Sequence, residues 1–393
     1  MHFVFCAPGS NGDVLPLLAI AQCMKSTGHR ATLIADHGYQ SQAAACDVDY
    51  IPITTASQQE QILKDRILLA TRYAELYVAR HIVTWNQRAF EALSRMLTDD
   101  LVIVSAERPH LWADLELRRH SPVSIIRTVV DLPPVLSLQR PRLPDGSVQR
   151  NLRLRSDPSN NRLQIYSAVR PSIPTIALWP RWIADGPMLK ALRATFGFMP
   201  LPELAPTPSA VRTEGHIVFY PGTAGTTGGW LLPYLNAAAA ACEKIGRTGI
   251  VVGSARSQGP LTAIKFAPLT EILQGASAIV HHGGVGTAAA ALEAGIPQII
   301  IPRVFSQPSN AEWLRRLGVC RVVKPGEWNP ASATQNLLDV IQNKEMKTRA
   351  QNVARQIDRP AALKAVCRFL EQTPGPATAP PRSTADTPIP PAD

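Results

Sequence analysis

Ala278-Ile-Val-His-His-Gly-Gly-Val-Gly-Thr287 is the stretch from which the fold can be inferred. It starts with a short apolar run typical of a buried strand and continues through a glycine-rich turn into an alanine-rich segment that ends at Gly295-Ile-Pro297. A second apolar run, 298–301, follows. This order predicts a β-α-β unit with the turn at the corner between strand and helix. Such a corner directs free backbone N–H groups and the positive end of a helix dipole towards an anion.

The residues of the turn fit phosphate as that anion. Gly283, Gly284 and Gly286 allow the backbone to approach a ligand closely, His282 can donate a hydrogen bond, and Thr287 can add its hydroxyl. Close packing of a helix on a strand also selects glycine, so a purely structural turn stays open as an alternative. A metal held by the two adjacent histidines is disfavoured, because neighbouring residues do not share a helix face and no further Cys/His cluster lies nearby.

The same part of the chain resembles a known family. His282-Gly-Gly-Val-Gly-Thr287 and Ala294-Gly-Ile-Pro-Gln298, followed by Gln307 and Asn310, are similar to the C-terminal signature of nucleotide-sugar-dependent inverting glycosyltransferases, the UDP-glycosyltransferase family. Phe266-Ala-Pro-Leu-Thr-Glu-Ile-Leu273 resembles the opening of that signature, where an aromatic residue stacks on the nucleobase. The resemblance covers the whole chain except its tail.

A second motif near the start of the chain resembles the bacterial branch of that family. Gly9-Ser-Asn-Gly-Asp-Val-Leu-Pro16 matches this branch, which includes antibiotic and sterol glycosyltransferases and the rhamnolipid rhamnosyltransferase. The resemblance implies an α/β protein of GT-B architecture, in which two Rossmann-like, doubly wound domains face each other across a cleft.

The pattern of apolar and polar segments predicts four parts. We expect a Rossmann-like domain over 1–200, a linker over 201–215, a second Rossmann-like domain over 216–372, and a disordered Pro-rich tail over 373–393. The resemblance implies that the first domain binds the acceptor and the second binds the nucleotide sugar. In GT-B proteins the last helix commonly packs back on the first domain, and the resemblance implies the same here.

Composition limits the partners of the chain. Its 393 residues are 45% hydrophobic, which is sufficient for two domains with full cores. The 40 Lys and Arg residues against 30 Asp and Glu give a net charge of +10. This charge suits a nucleotide diphosphate and equally suits contact with an anionic membrane surface or plain solubility. The basic residues are spread out and not interleaved with aromatic ones, which argues against nucleic-acid binding.

The cysteines and the N-terminus bear on location. None of the six cysteines forms a C-x-x-C pair, so we expect buried thiols in a reducing cytoplasm. The first residues lack the charged region and cleavage site of a signal peptide, and no apolar run reaches the ~18 residues of a membrane-spanning helix. The expected location is the cytoplasm, with peripheral contact at the inner membrane face left open.

Transfer of a sugar requires a base for the acceptor hydroxyl, access to the anomeric carbon, and stabilisation of the departing diphosphate. The resemblance implies that Asp13 is the base, because it stands where plant relatives carry the catalytic histidine and the bacterial branch carries Asp. An Asp at such a turn also serves as a helix N-cap, and this alternative stays open.

The resemblance also implies a donor site in the second domain. Its donors would stabilise the charge that builds on the diphosphate, so neither a metal nor a cofactor is required, and the nucleotide sugar is a substrate. The residues implied in nucleotide-sugar binding are Thr223, Phe266, His282, Gly284, Gly286, Thr287 and Gln307.

The chain departs from the family pattern in one place that bears on the sugar. Ser306-Gln307 stands where relatives usually carry Asp-Gln, so a carboxylate contact to the sugar is missing. A deoxy sugar such as rhamnose would need fewer such contacts. The resemblance therefore implies a metal-independent, inverting hexosyltransferase that moves a hexose or deoxyhexose from a UDP- or dTDP-sugar to a hydroxyl of an apolar small molecule or lipid. A nucleotide-sugar epimerase on the same fold and a catalytically impaired nucleotide-sugar-binding partner protein are the alternatives.

Overall fold

The computed structural model describes residues 1–65, 81, 83–96, 100–106, 124–132, 174–184, 188–202, 214–222, 230–253, 257–265, 267–303 and 306–373. Most of the predicted linker lies outside these ranges, and so does the predicted tail except for Thr373.

The first part of the chain forms a parallel sheet of seven strands in the order β3-β2-β1-β4-β5-β6-β7. The strands are β1 (His2–Cys6), β2 (Arg30–Ala35), β3 (Asp49–Pro52), β4 (Leu101–Ala106), β5 (Ser124–Val129), β6 (Thr175–Ala177) and β7 (Ala194–Thr195). The helices described in this part are α1 (Asn11–Ser26), α2 (Gln40–Ala45), α3 (Ala56–Asp65), α4 (Val83–Ser94) and α5 (Met188–Ala191).

The central strand β1 shows why an unbroken apolar run forms a strand here. All five of its residues are buried. Alternate side chains of a strand point to opposite faces, and Phe3 and Phe5 accordingly join the core on the α1 side, whereas Val4 and Cys6 join the core that contains Trp85 of α4. A sheet with both faces covered has no polar face, so its strands read as continuous hydrophobic segments.

The second part forms a parallel sheet of six strands in the order β10-β9-β8-β11-β12-β13. Its strands are β8 (Ile217–Tyr220), β9 (Gly249–Val252), β10 (Leu261–Ile264), β11 (Ala278–His281), β12 (Gln298–Ile300) and β13 (Cys320–Val322). Its helices are α6 (Leu231–Lys244), α7 (Leu269–Ile272), α8 (Val285–Glu293), α9 (Gln307–Arg316), α10 (Pro330–Gln342), α11 (Lys344–Ala354) and α12 (Arg359–Glu371).

Both sheets share one winding pattern. In each, the first three strands add in one direction, and the later strands, four in the first sheet and three in the second, add in the other. This is the strand order of a Rossmann fold, with one further strand in the first sheet. The direction reverses between β1 and β4 in the first sheet and between β8 and β11 in the second. Ligands of such sheets bind outside the carboxyl ends of the strands at this switch point. The predicted fold class, two doubly wound Rossmann-like units, is confirmed.

The two parts contact each other through the end of the chain. Helix α12 packs against α1, and the rings of Phe196 and Phe369 lie 5.4 Å apart. Arg359, which is 4% exposed, donates from Nη1 to the Met199 carbonyl oxygen at 3.4 Å. The last helix therefore spans from the second sheet back to the first.

The structure also shows the burial of the cysteines and the character of the helices. Five of the six cysteines are buried, and Cys23 is partly exposed. Within the described ranges, no helix combines the length and the apolarity that crossing a membrane would require.

Candidate functional site

The glycine-rich turn after β11 is held in place by His281. This side chain is 1% exposed, its Nε2 lies 2.9 Å from Gln298 Oε1, and its Nδ1 accepts a hydrogen bond of 3.1 Å from the Gly283 N–H. With Nδ1 acting as the acceptor, the neutral ring carries its proton on Nε2. Of the two adjacent histidines, the first is therefore a structural residue that fixes the turn.

His282 lies in a slot formed by two glycines. A Cβ atom added to Gly222, which follows β8, would lie 2.5 Å from His282 Nδ1, and one added to Gly284 would lie 2.5 Å from its Nε2. Real Cβ atoms do not approach so closely, so only glycine leaves room for the ring at both positions. The Tyr220 ring packs edge-on against the imidazole, with ring centroids 5.8 Å apart. The turns after β8 and β11 thus enclose His282 at the switch point.

Helix α8 starts at this turn without a side-chain cap. Its N-cap residue is Gly284, and no side chain there accepts from the first turn. The first intrahelical bond runs from Ala288 N to the Gly284 carbonyl, so the N–H groups of residues 285–287 have no acceptor within the helix. Helices α10, α11 and α12 differ, because Asn329, Asn343 and Asp358 cap them. The start of α8 is therefore suited to an anion.

The electrostatics of the turn favour a neutral imidazole in the absence of ligand. Burial is the largest cause that lowers the pKa of His282, to about 4, and the charge of Arg303 acts in the same direction. Burial likewise lowers the pKa of His281 to about 3. A bound anion would raise the pKa of His282, because it stabilises the imidazolium.

The carboxyl-terminal edges of the two sheets meet at Asn310 of α9. This residue is fully buried. Its Nδ2 donates to the Gly283 carbonyl at 2.9 Å, and its Oδ1 accepts from the Leu132 N–H at 3.2 Å. Leu132 follows β5, so one amide joins the turn of the second sheet to the same edge of the first.

Asp13 lies at that edge of the first sheet. It follows β1, which is two strands from β5, so roughly 10 Å separates it from the line of β5. Its Oδ2 accepts from the Ser10 N–H at 2.9 Å and from the Ser10 hydroxyl at 3.0 Å. Ser10 is therefore the N-cap of α1, and Asp13 is the third helical residue of a capping box. A Cβ on Gly9 would lie 2.6 Å from Asp13 Oδ2, so glycine is needed there for the carboxylate to fold back.

Parts of the chain are similar in sequence to known proteins. Residues 258–370 match the sequence family described as Erythromycin biosynthesis protein CIII-like, C-terminal domain. O-mycaminosyltylonolide 6-deoxyallosyltransferase of Streptomyces fradiae is 29% identical over 154 residues, which are 38% of this chain and 35% of that relative. The match therefore spans about a third of the relative's length.

The similarity to solved structures extends over nearly the whole chain. The glycotransferase of kitacinnamycin superimposes with a TM-score of 0.69 at 17% identity, covering 94% of this chain and 98% of that protein. The spinosyn rhamnosyltransferase SpnG complexed with thymidine diphosphate superimposes with a TM-score of 0.62 at 17% identity, covering 94% of this chain and all of that protein.

The chain has the GT-B fold. The resemblance to bacterial antibiotic glycosyltransferases that the two motifs indicated is confirmed. In this GT-B chain, the uncapped helix α8 and the Asp13 turn occupy the switch points of the two sheets.

Some of the remaining predicted donor-site residues of this GT-B chain lie among the described residues, and the others lie outside them. Thr287 is buried at the third position of α8. Gln307 is the first residue of α9, and its Oε1 accepts from the Arg303 N–H at 2.9 Å. The structure thus places His282, Thr287 and Gln307 at the same sheet edge, together with Gly284 and Gly286. Thr223 and Phe266 lie outside the described residues, and their predicted roles stay predictions.

Two further observations bear on the sequence-based expectations. Within the described residues, no group of three or more His, Cys, Asp and Glu side chains could hold a metal ion. Trp179 is fully buried, and its Nε1 donates to the Asp131 carbonyl at 3.1 Å. Trp179 is therefore a core residue.

Sequence reasoning missed the role of Asn310 and the position of Arg303. Asn310 was part of the matched motif, but no local pattern indicates that its amide reaches the other sheet. Arg303 lies in a short loop after β12, with its guanidinium over the Trp230 ring. In the sequence, Arg303 is one of many basic residues, and only its packing in the structure distinguishes it from the others.

Proposed function

We propose that this chain transfers a hexosyl or deoxyhexosyl group from a dTDP-sugar to a hydroxyl of an apolar small molecule, with inversion and without a metal. One observation carries the proposal. The uncapped start of α8, with His282 held in its glycine slot, lies at the carboxyl edge of the second sheet, and Asn310 joins that edge to the corresponding edge of the first sheet, where Asp13 lies.

The choice of sugar and nucleotide has two supports. A relative over part of the chain is named a 6-deoxyallosyltransferase, and a structure with the same fold was solved with thymidine diphosphate. Ser306 replaces the Asp that relatives usually carry next to Gln307, which removes a carboxylate contact to the sugar. A deoxy sugar fits this site because it offers fewer hydroxyl groups to hold. UDP-sugars are the second class to be tested.

In the proposed reaction, Asp13 takes the proton from the acceptor hydroxyl while that oxygen attacks the anomeric carbon. The bond between the anomeric carbon and the diphosphate oxygen breaks, and its electron pair leaves with the nucleoside diphosphate. The N–H groups at the start of α8 and the imidazole of His282 hold the diphosphate, and their hydrogen bonds strengthen as its charge grows. Attack from the face opposite the leaving group inverts the anomeric configuration.

Asp13→Asn tests the proposal. The oxygen of the Asn amide can still accept a hydrogen bond from the Ser10 N–H, so the start of α1 should stay intact. The amide cannot, however, take the proton from the hydroxyl group of the acceptor substrate. We expect turnover with dTDP-sugars, measured by mass spectrometry of products from a panel of apolar acceptors, to fall by about 10²–10⁴-fold. The affinity for thymidine diphosphate, measured by calorimetry, should change little.

Asp358→Asn is the matched control. Asp358 also caps a helix, accepting from the Ala361 N–H at 2.8 Å, but it lies at the start of α12. This variant should retain wild-type turnover. Wild-type binding of thymidine diphosphate without transfer to any acceptor would favour a nucleotide-sugar-binding protein, and unchanged turnover of Asp13→Asn would remove Asp13 from the mechanism.

A further inference from the structure

A charged side chain outside the matched motifs lies beside the glycine-rich turn after β11. Arg303 follows β12 and Trp230 directly precedes α6, the helix after β8. Strands β8 and β12 are the two neighbours of β11 in the sheet. The carboxyl ends of all three strands therefore lie side by side at the glycine turn. The Arg303 Cζ lies 4.2 Å from the centroid of the Trp230 ring.

The charge of Arg303 is not compensated by an acidic residue in the described part of the chain. None of the ion pairs between described residues involves it. Burial lowers the pKa of Arg303 to about 10, so the guanidinium remains a cation at neutral pH. Partial removal of a cation from water costs free energy that a bound anion can offset. His282 and the start of α8, which lie next to Arg303, also present hydrogen-bond donors.

The contact with Trp230 fixes how the cation is presented. A guanidinium stacked on an indole uses one face for the cation–π contact, and its N–H edges stay available for hydrogen bonds. The planar edge matches two oxygens of a phosphate group, which an ammonium cannot do. The Arg303 backbone is also held, because its N–H donates to Gln307 Oε1. Side chain and backbone together give the guanidinium a defined place at the site.

We propose that Arg303, held against Trp230, neutralises the terminal phosphate of the departing nucleoside diphosphate. The proposal rests on the proposed function and names a further residue of the same site. When the bond between the anomeric carbon and the diphosphate oxygen breaks, the new charge appears on the terminal phosphate. A cation there stabilises the transition state more than the intact nucleotide sugar, so Arg303 promotes departure as well as binding.

Arg303→Gln and Arg303→Lys test the assignment through two ligands, thymidine diphosphate and thymidine monophosphate, with affinities measured by calorimetry. The Gln variant should bind thymidine diphosphate about tenfold to hundredfold more weakly than the wild type, because a charge-assisted phosphate contact is lost. The monophosphate lacks the terminal phosphate and should bind as it does to the wild type. The Lys variant retains the charge without the planar edge, so its affinity for thymidine diphosphate should lie between those of the wild type and the Gln variant.

Arg316→Gln is the control, because Arg316 also stacks on a tryptophan, with its Cζ 4.8 Å from the Trp313 centroid, but it pairs with Glu312. This variant should bind both nucleotides as the wild type does. Equal weakening of both nucleotides by Arg303→Gln would indicate a distorted site and overturn the assignment, and unchanged binding of both would also overturn it. A wild type that binds neither nucleotide would refute the proposed function itself, and this inference with it.

Discussion

The buried histidine of the glycine turn predicts a specific loss of stability in acid. His281 is 1% exposed, and burial is the largest cause that lowers its pKa from 6.5 to about 3. Since the folded-state pKa lies below the unfolded one, the unfolded chain binds more protons below pH 6.5. Stability is therefore complete above about pH 6.5 and is lost progressively as the pH falls towards about 3.

The size of the effect follows from these two pKa values. At pH 5 the unfolded state is almost fully protonated at this histidine, whereas the folded state is almost fully neutral. The proton linkage then amounts to about 2 kcal/mol at pH 5 relative to pH 7.5. This amount depends mainly on the unfolded-state pKa, as long as the folded-state pKa lies well below 5.

His281→Asn removes the titrating group. At pH 7.5 we expect the variant to be less stable by about 1–3 kcal/mol, because Gln298 and the Gly283 N–H lose their partner. At pH 5 the difference from the wild type should shrink by about 2 kcal/mol, since the variant no longer takes up that proton on unfolding. Urea unfolding followed by circular dichroism at the two pH values measures both differences.

Val280→Ala is the control, because it lies beside His281 in β11, is fully buried and does not titrate. Its destabilisation should be the same at pH 5 and pH 7.5. A difference between wild type and His281→Asn that does not change with pH would refute the reasoning. A chemical-shift titration that shows His281 protonating above pH 6 in the folded protein would refute it as well.

Two further predictions concern the same edge of the second sheet. Gly286→Ala should fold with unchanged or slightly raised stability in thermal melts, because a Cβ there meets no atom within 4 Å and Ala favours the helix by about 1 kcal/mol. If phosphate occupies that space, the variant should bind thymidine diphosphate at least about tenfold more weakly, and equal affinity would mean that the space stays empty. Asn310→Ala should lower the free energy of unfolding by about 2–4 kcal/mol in urea, because it leaves the Gly283 carbonyl and the Leu132 N–H without their buried partner, and a change below about 0.5 kcal/mol would contradict that bridge.

Much of the fold could be predicted because it depends on local patterns. The fully apolar run at His2–Cys6 forms a central strand, and glycines at the corner after β11 start a helix without a cap. Each of these signals lies within a few consecutive residues. The alternation of such segments along the chain is sufficient to indicate two doubly wound sheets.

The roles of individual side chains at the site were less predictable. The sequence indicated His282 as a phosphate donor and assigned no separate role to the adjacent His281, and the structure distinguishes the two. His281 turns into the sheet and bonds to Gln298, whereas His282 enters the slot between Gly222 and Gly284. Asp13 was weighed as an N-cap, but Ser10 takes that position and Asp13 folds back on it. These differences arise from contacts that no single-residue propensity encodes.

By itself, the sequence determined the class of the fold and the two motif-bearing turns, because backbone geometry and hydrogen-bonding capacity are local properties. Only the tertiary structure decided which groups share the site. The strand order brings the carboxyl ends of β8, β11 and β12 together, so Trp230 supports Arg303 beside His282, and Asn310 links the two sheets. Such pairings depend on how distant segments pack, and the same residues in another strand order would not meet.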